Sequence, residues 1–305
     1  MPGPAAGLEG RHGAGPPGVQ GVARFIHIGG QQHPQLPTHS GSRPHTMSNF
    51  RVPVELFMHT PPLTIHPEAP LEEAWALMAE RGVSSLPVTD KDSSLVGILS
   101  RTDLLRVAGL ETGRRPDSDS LVLPDRPISE EMTREVRTTS RDTPLDEAAK
   151  AMVQNRVHRL VVCEDGVPVG ILSTRDLMLA LEEKQANHPL SDWMSSPVFT
   201  IRAEEPVGMA VERLEKARVT GLVVVEDGWP VGMFSQTEAL EARDLPRSTA
   251  VGDVMNPRIL TLSPATRMHR AAAQAAATRV RRVVVQDGDR LVGILSGLDF
   301  ARAVS

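Results

Sequence analysis

The stretch Val167-Pro-Val-Gly-Ile-Leu-Ser-Thr-Arg-Asp176 decides how this sequence is read. Its apolar part reads as a strand that runs through Gly170 and stops at Ser173, and Asp176 falls in the first turn of a following helix. The ending recurs three times, as Gly97-Ile-Leu-Ser-Arg-Thr-Asp103, Gly232-Met-Phe-Ser-Gln-Thr-Glu238 and Gly293-Ile-Leu-Ser-Gly-Leu-Asp299. Four copies in register mark an internal repeat, which has to be recognised before any single element is assigned.

Working outward, each ending follows a β-branched run: Leu86-Pro-Val-Thr89, Leu160-Val-Val-Cys163, Leu222-Val-Val-Val225 and Val283-Val-Val-Gln286. Before each run a helical stretch opens, at Leu71, Leu145, Val207 and Met268, lying 26, 25, 25 and 25 residues ahead of the motif glycine. The extra residue of the first repeat falls in its turn, Asp90-Lys-Asp-Ser-Ser94. Leu71, Ala74, Trp75, Leu77 and Met78 mostly follow one helical face. Pro70, Pro144 and Pro206 share one register suited to a first helical turn, where the fourth repeat has Arg267. Asp165-Gly166, Asp227-Gly228 and Asp287-Gly288 are hairpin turn signals. Each unit therefore reads as strand, helix, strand, strand, helix, and the fold class as α/β built from four βαββα repeats.

The motif glycines are 73, 62 and 61 residues apart. The excess in the first interval is the polar linker Glu111-Thr-Gly-Arg-Arg-Pro-Asp-Ser-Asp-Ser120, and Glu182-Glu-Lys-Gln-Ala-Asn-His-Pro189 divides the chain in half. A unit of about 55 residues is marginal alone, so two packed sheet to sheet are expected to share a core. The expected organisation is a module over 50–182, with repeats at about 50–109 and 127–182, and a second over 189–305, with repeats at about 189–243 and 249–305.

Residues 1–46 are of another kind: 10 Gly, 7 Pro and five of the ten His, with Glu9 the one acidic residue. They read as a disordered tail, with Met47 as a candidate natural start. The 305 residues carry a net charge of −5 and only 3% aromatics with no Tyr, which argues against a nucleic-acid platform. The single Cys163 excludes an internal disulfide and a Cys-rich zinc site and reads as a core residue. No apolar run approaches the ~18–20 residues of a membrane span, and no leader opens the chain, so it reads as cytoplasmic.

These repeats resemble cystathionine-β-synthase (CBS) domains, four in tandem over about 50–304. The resemblance implies pairing of repeats into two Bateman modules, with clefts that take adenosine-containing ligands. The tandem arrangement, and the segment Asn155-Arg-Val-His-Arg-Leu-Val-Val162 in particular, is similar to the nucleotide-sensing gamma subunit of AMP-activated protein kinase. Carried over repeat by repeat, it implies that Asp103, Asp176 and Asp299 accept from ribose hydroxyls by charge-assisted hydrogen bonds. Ser100, Ser173, Ser235 and Ser296 would contact ribose or phosphate. Glu238 departs from the pattern in the third repeat, which puts its ribose contact in doubt. In the register of His158 the other repeats carry Ser84, Thr220 and Arg281. His158 and Arg281 are ligand-binding candidates, and Arg156, Arg159 and Arg282 beside them, with Arg101 and Arg175 at the closing-helix entrances, are the phosphate-contact candidates. The same residues also admit a purely structural reading, as caps and turn closers. The best-formed cleft is expected at Ser173, Asp176 and His158, with the fourth repeat next and the third last.

No catalytic constellation or metal-ligand set is found, and the repeats consume the foldable length. The expectation is a non-catalytic, energy-sensing regulator of the AMP, ADP and ATP class that needs no cofactor. It would act on an effector protein in trans, with its modules paired as a disc or as a homodimer. The alternatives are an oligomerisation module with vestigial clefts, or a sensor of S-adenosylmethionine, NAD or a cyclic dinucleotide.

Overall fold

A computed structural model describes residues 50–114 and 123–305, with the side chains of 109–114 left out. The tail of 1–46 and most of the first linker lie outside the described residues. Residues Thr46–Ser305 form one compact unit.

The first repeat comprises α1 (Leu71–Glu80), the hairpin β1 (Ser85–Thr89) and β2 (Leu95–Ser100), and α2 (Arg101–Arg114). The second has α3 (Ile128–Glu131), β3 (Thr138–Thr139), α4 (Leu145–Asn155), β4 (Arg159–Glu164), β5 (Val167–Ser173) and α5 (Thr174–Glu183). The third has β6 (Thr200–Arg202), α6 (Val207–Ala217), β7 (Gly221–Glu226), β8 (Trp229–Ser235) and α7 (Gln236–Glu241). The fourth has α8 (Val251–Val254), β9 (Thr261–Leu262), α9 (Met268–Thr278), β10 (Val283–Asp287), β11 (Arg290–Leu295) and α10 (Gly297–Val304). In the last three repeats a short leading strand runs parallel to an antiparallel hairpin. In the first it shrinks to a single parallel bridge, Ile65 to Val88. Asp165 and Gly166 take φ of 50° and 82°, the left-handed pair that a tight hairpin with matching twist requires.

Three details differ from the sequence expectation. The prolines Pro70, Pro144 and Pro206 stand one place earlier, as extended N-caps instead of first-turn residues. Each such cap is bridged by the leading segment of another repeat: Pro70 by Pro127, Pro144 by Pro53, Pro206 by Ala250, and Arg267 by Pro189. Leu71 N donates to Arg126 O at 3.1 Å and Leu145 N to Val52 O at 2.8 Å, so helix-end amides are satisfied by the neighbouring repeat. Second, α2 continues to Arg114, four residues into the expected linker, since the first proline to break it is Pro116. Third, Cys163 is half-buried beside a bulge and not a full core residue.

The apolar cores do not follow the expected modules. One joins the first and third repeats, with Leu71, Met78, Leu99 and Leu104 packed with Val211, Leu222, Phe234 and Leu240. The other joins the second and fourth, with Met152, Leu172 and Leu177 packed with Met268, Leu295 and Phe300. Contact between the sheets of the third and fourth repeats makes a small third cluster at Val223, Met233 and Val284. Each sheet has one face covered by its own helices, and those helices still have apolar surface to bury, so they bury it across the molecule.

Candidate functional site

The closing helices begin identically. Ser173 donates from both N and Oγ to Asp176 Oδ2, each at 2.7 Å. Ser100 does the same to Asp103 Oδ2 at 2.9 and 2.6 Å, and Ser296 to Asp299 Oδ2 at 2.6 and 2.8 Å. Glu238 reaches the same position with its longer side chain, accepting from Ser235 N at 2.8 Å and Oγ at 2.5 Å. The capping role is thus present in every repeat and uses one carboxylate oxygen each time.

The second oxygen tells the repeats apart. Asp103 Oδ1 accepts from Arg106 at 3.3 Å. Asp299 Oδ1 accepts from Ser195 Oγ at 2.7 Å and Arg302 Nη2 at 2.6 Å, and the residue is buried. Asp176 Oδ1 and Glu238 Oε1 have no hydrogen-bond partner among the described residues, and of these two Asp176 alone is not fully buried. Desolvation is the largest influence on Asp176 and holds its pKa above the usual carboxylate value, against the Ser173 hydrogen bonds and the charges of His59 and Arg175.

His59 comes from a segment that the motif reading passed over. The leading segment of each repeat lies on the last strand of its neighbour: His59 bridges Ile171, Thr133 bridges Ile98, Ser195 bridges Ile294 and Asn256 bridges Met233. The methionine just before each packs on the motif glycine. A Cβ on Gly170 would stand 2.7 Å from Met58 Sδ, on Gly232 2.6 Å from Met255 Sδ and on Gly293 2.5 Å from Met194 Sδ, while Gly97 meets Met132 in the same way. The glycines are there for this close approach. The signal was in the sequence: Met58, Met132, Met194 and Met255 each stand 13 residues before the helix openings.

The cationic candidates converge, with one exception. Arg159 Nη2 donates to Ser84 Oγ at 2.6 Å, Arg282 Nη2 to Thr220 Oγ1 at 2.5 Å and Arg101 Nη1 to Thr237 Oγ1 at 2.7 Å. Each bond crosses from one repeat to another. Burial first, and then the charge of Arg281, lowers the pKa of Arg101, Arg159 and Arg282 to about 10, so all three stay cationic at neutral pH. His158 is lowered to about 4 by burial and by Arg159, Arg282 and Arg281, and is neutral at pH 7. Glu238 and Glu241 provide countercharge; burial and Glu238 raise the pKa of Glu241. The third repeat's unusual acid therefore faces the arginines of other repeats. Arg175 is exposed on the first turn of α5. Arg156, expected on the same rim, is an exposed left-handed cap of α4 whose side chain makes no hydrogen bond or ion pair among the described residues.

Trp75, on the apolar face of α1, is buried at the junction of the first and third repeats, 5.9 Å from the Arg101 guanidinium and 5.7 Å from that of Arg243. Among the described residues no cluster of His, Cys, Asp or Glu could hold a metal ion, and no helix is long and apolar enough to cross a membrane.

Four acid-capped helices and arginines that bond from one repeat to another define a repeat-built protein. The chain belongs to the CBS domain family, which matches residues 54–109, 128–183, 190–244 and 251–305. It is 28% identical over 212 residues to an uncharacterized 33.4 kDa protein in a ribosomal RNA operon of Thermofilum pendens, covering 65% of this chain and 66% of that one. It is 29% identical over 133 residues to an A-adding tRNA nucleotidyltransferase of Aquifex aeolicus, 44% of this chain and 15% of the enzyme. An inosine-5'-monophosphate dehydrogenase of Thermoplasma acidophilum is 34% identical over 116 residues, 38% of this chain and 21% of the enzyme. The chain thus spans less than two thirds of each of these relatives. In fold it is similar to a Methanocaldococcus jannaschii protein proposed as an archaeal homologue of gamma-AMPK, with a TM-score of 0.73 and 19% identity over 83% of this chain and 100% of that one. A conserved Pyrococcus horikoshii protein gives a TM-score of 0.60 and 22% identity at the same coverage.

Proposed function

We propose that this chain is a non-catalytic regulatory protein that binds an adenosine-containing nucleotide of the AMP, ADP and ATP class and passes its occupancy to an effector protein in trans. The observation that carries this reading is the carboxylate of Asp176. One oxygen is fixed by Ser173, and the other has no hydrogen-bond partner among the described residues, on a partly buried side chain within reach of the charges of His59 and Arg175. A short carboxylate held in this way can accept from a vicinal diol, and the inter-repeat arginines supply charge for phosphate. We place the first ligand in this cleft and treat the repeats linked by their leading segments, first with second and third with fourth, as the working modules. Arg159 and Arg282 each tie the two repeats of one such pair, while Arg101 ties the first repeat to the third. A phosphate drawing on these arginines would bias the relative placement of repeats, which is the difference between states that an effector could read. On this reading the protein acts in the cytoplasm.

A thermal-shift panel of AMP, ADP, ATP, S-adenosylmethionine, NAD and cyclic di-AMP tests the proposal. A ligand at ~100 times its Kd stabilises the folded state by roughly 2.7 kcal/mol, a rise of several degrees for a chain of this size. A response to S-adenosylmethionine, NAD or the cyclic dinucleotide alone would reassign the ligand. Silence from all six would leave the clefts as structural features of an association module.

A further inference from the structure

The residue three places after the motif acid differs in kind from repeat to repeat: Arg106, Leu179, Glu241 and Arg302. In the first and fourth repeats this arginine bonds its own acid, Asp103 at 3.3 Å and Asp299 at 2.6 Å, so the charge is answered within one helical turn. The third repeat reverses the sign. Glu241 stands where that cation would be, and its pKa is raised by burial and then by the charge of Glu238. Nothing on α7 itself compensates Glu238.

The opposing charge comes from other repeats. Arg101 of the first repeat donates to Thr237 Oγ1, on the residue next to Glu238, at 2.7 Å. Arg282 of the fourth lies against Gly221, where a Cβ would stand 2.6 Å from its guanidinium carbon. Gly221 is paired across the sheet with Ser235, which donates to Glu238. The other repeats have Ser85, Arg159 and Arg282 in the register of Gly221, so the missing side chain makes room for the incoming one. Desolvation lowers the pKa of Arg101, Arg281 and Arg282, and the charge of Glu238 offsets part of that lowering in all three. Glu238 is only 6% exposed, yet among the described residues it forms no ion pair with any of them, and its Oε1 accepts no hydrogen bond. Its charge therefore acts through space on three arginines instead of being committed to one. Capping does not account for the residue, because Asp makes the same two bonds in the other repeats, and a buried carboxylate with an unpaired oxygen is costly.

We infer, resting on the nucleotide reading above, that Glu238 is a specificity-determining residue: a fixed negative charge among the inter-repeat arginines that favours ligands carrying one phosphate over ligands carrying three. Compared with a neutral residue at this place, the carboxylate subtracts from the attraction once for every phosphate charge within its field. Its effect on ATP therefore exceeds its effect on AMP, and burial keeps that field from being fully screened.

The test is calorimetric titration of AMP and ATP, and of inorganic orthophosphate and tripolyphosphate, into the full chain, Glu238→Gln and Glu238→Asp. Gln keeps the length and an acceptor for Ser235 while removing the charge, and Asp keeps the charge on the cap that the other repeats use. Matched thermal unfolding checks that both variants are folded. Glu238→Gln shifts the preference between ATP and AMP at least ~5-fold toward ATP, the scale of the added phosphate charge in a partly screened field. The preference between tripolyphosphate and orthophosphate moves the same way, and Glu238→Asp keeps the wild-type preferences. A merely structural role would move AMP and ATP together. Equal changes within each pair of probes, a shift in Glu238→Asp as large as in Glu238→Gln, or no binding of any probe overturns the proposal. Absent nucleotide binding with the inorganic preference still shifted removes the nucleotide reading and leaves the charge selection standing. Nucleotide binding with both preferences unmoved does the reverse.

Discussion

The second and fourth repeats carry the same Ser-x-x-Asp, the same hairpin and the same methionine-filled glycine, yet they present different surfaces to a ligand. Asp176 offers a free oxygen; Asp299 has both oxygens taken by its own chain. The cause lies one helical turn on. Three residues after the acid the second repeat has Leu179, exposed to solvent, and the fourth has Arg302, which bonds Asp299 and the carbonyl of Trp193. The leading segment reinforces this: Ser195 donates to Asp299, whereas His59 acts on Asp176 only through its charge. An intact motif is thus necessary for an open cleft but not sufficient, and a cleft ranked second on its motif falls behind once its neighbours are counted.

The largest expected effect is a crossed pattern. Asp176→Ala removes the open acceptor and weakens AMP and ATP binding by ~10–150-fold, about 1.5–3 kcal/mol, while costing about 1 kcal/mol of helix capping. Asp299→Ala leaves nucleotide affinity unchanged but strands Arg302 beside a buried gap, for a stability loss of about 2 kcal/mol or more. Calorimetric titration paired with denaturant unfolding reads both axes. Equal binding losses in the two variants would dissolve the contrast between the repeats.

Acid should separate the two repeats next, because one register position holds His158 in the second and Arg281 in the fourth. The folded-state pKa of His158, about 4, lies below its unfolded value of 6.5. Its contribution to stability is therefore complete above pH 6.5 and lost as pH falls toward 4. At pH 5 the loss is at most about 2 kcal/mol, several degrees of Tm. Asp176 works the other way, since its raised pKa favours the folded state as it protonates. The useful quantity is therefore the difference between wild type and His158→Gln, which keeps a neutral polar side chain. The Tm of the variant should fall less between pH 7 and pH 5. Parallel curves would mean that His158 is solvated and that the arginines around it do not press on it.

Much of this was legible in advance because a repeat is its own control. Four endings in register gave the hairpins and the caps at Ser100, Ser173, Ser235 and Ser296, and singled out Arg101, Arg159, Arg282 and His158 as candidates, though not the bonds by which the arginines cross between repeats. Three things were not legible, each for a physical reason. Which face a helix buries is visible in its period, but not what it buries against, so the cores joining first with third and second with fourth repeats were missed. The prolines looked like first-turn residues because the strand-like bridge from another repeat, which makes them caps, is not a local property. The closure of Asp299 depends on Arg302 and on Ser195, 104 residues away, and a motif search stops at the acid.

That closure can be undone. Arg302→Leu gives the fourth repeat the residue that the second already has at Leu179. The change removes the 2.6 Å donor to Asp299 Oδ1, leaving Ser195 Oγ as the remaining contact, and a hydroxyl can rotate to serve a ligand instead. The newly uncompensated carboxylate costs stability, about 1 kcal/mol given that the Arg302 side chain is still 22% exposed. In exchange the cleft acquires the free acceptor that Asp176 has, though without the charge of His59 beside it. The expected outcome is one additional nucleotide per chain, bound more weakly than the first, seen as a second phase in calorimetry with AMP. Arg302→Lys, which keeps the cation, should show a single phase like wild type. If Arg302→Leu remains folded and its stoichiometry does not rise, the carboxylate is not what limits the fourth cleft, and the difference between the two repeats must lie in the leading segments that carry His59 and Ser195.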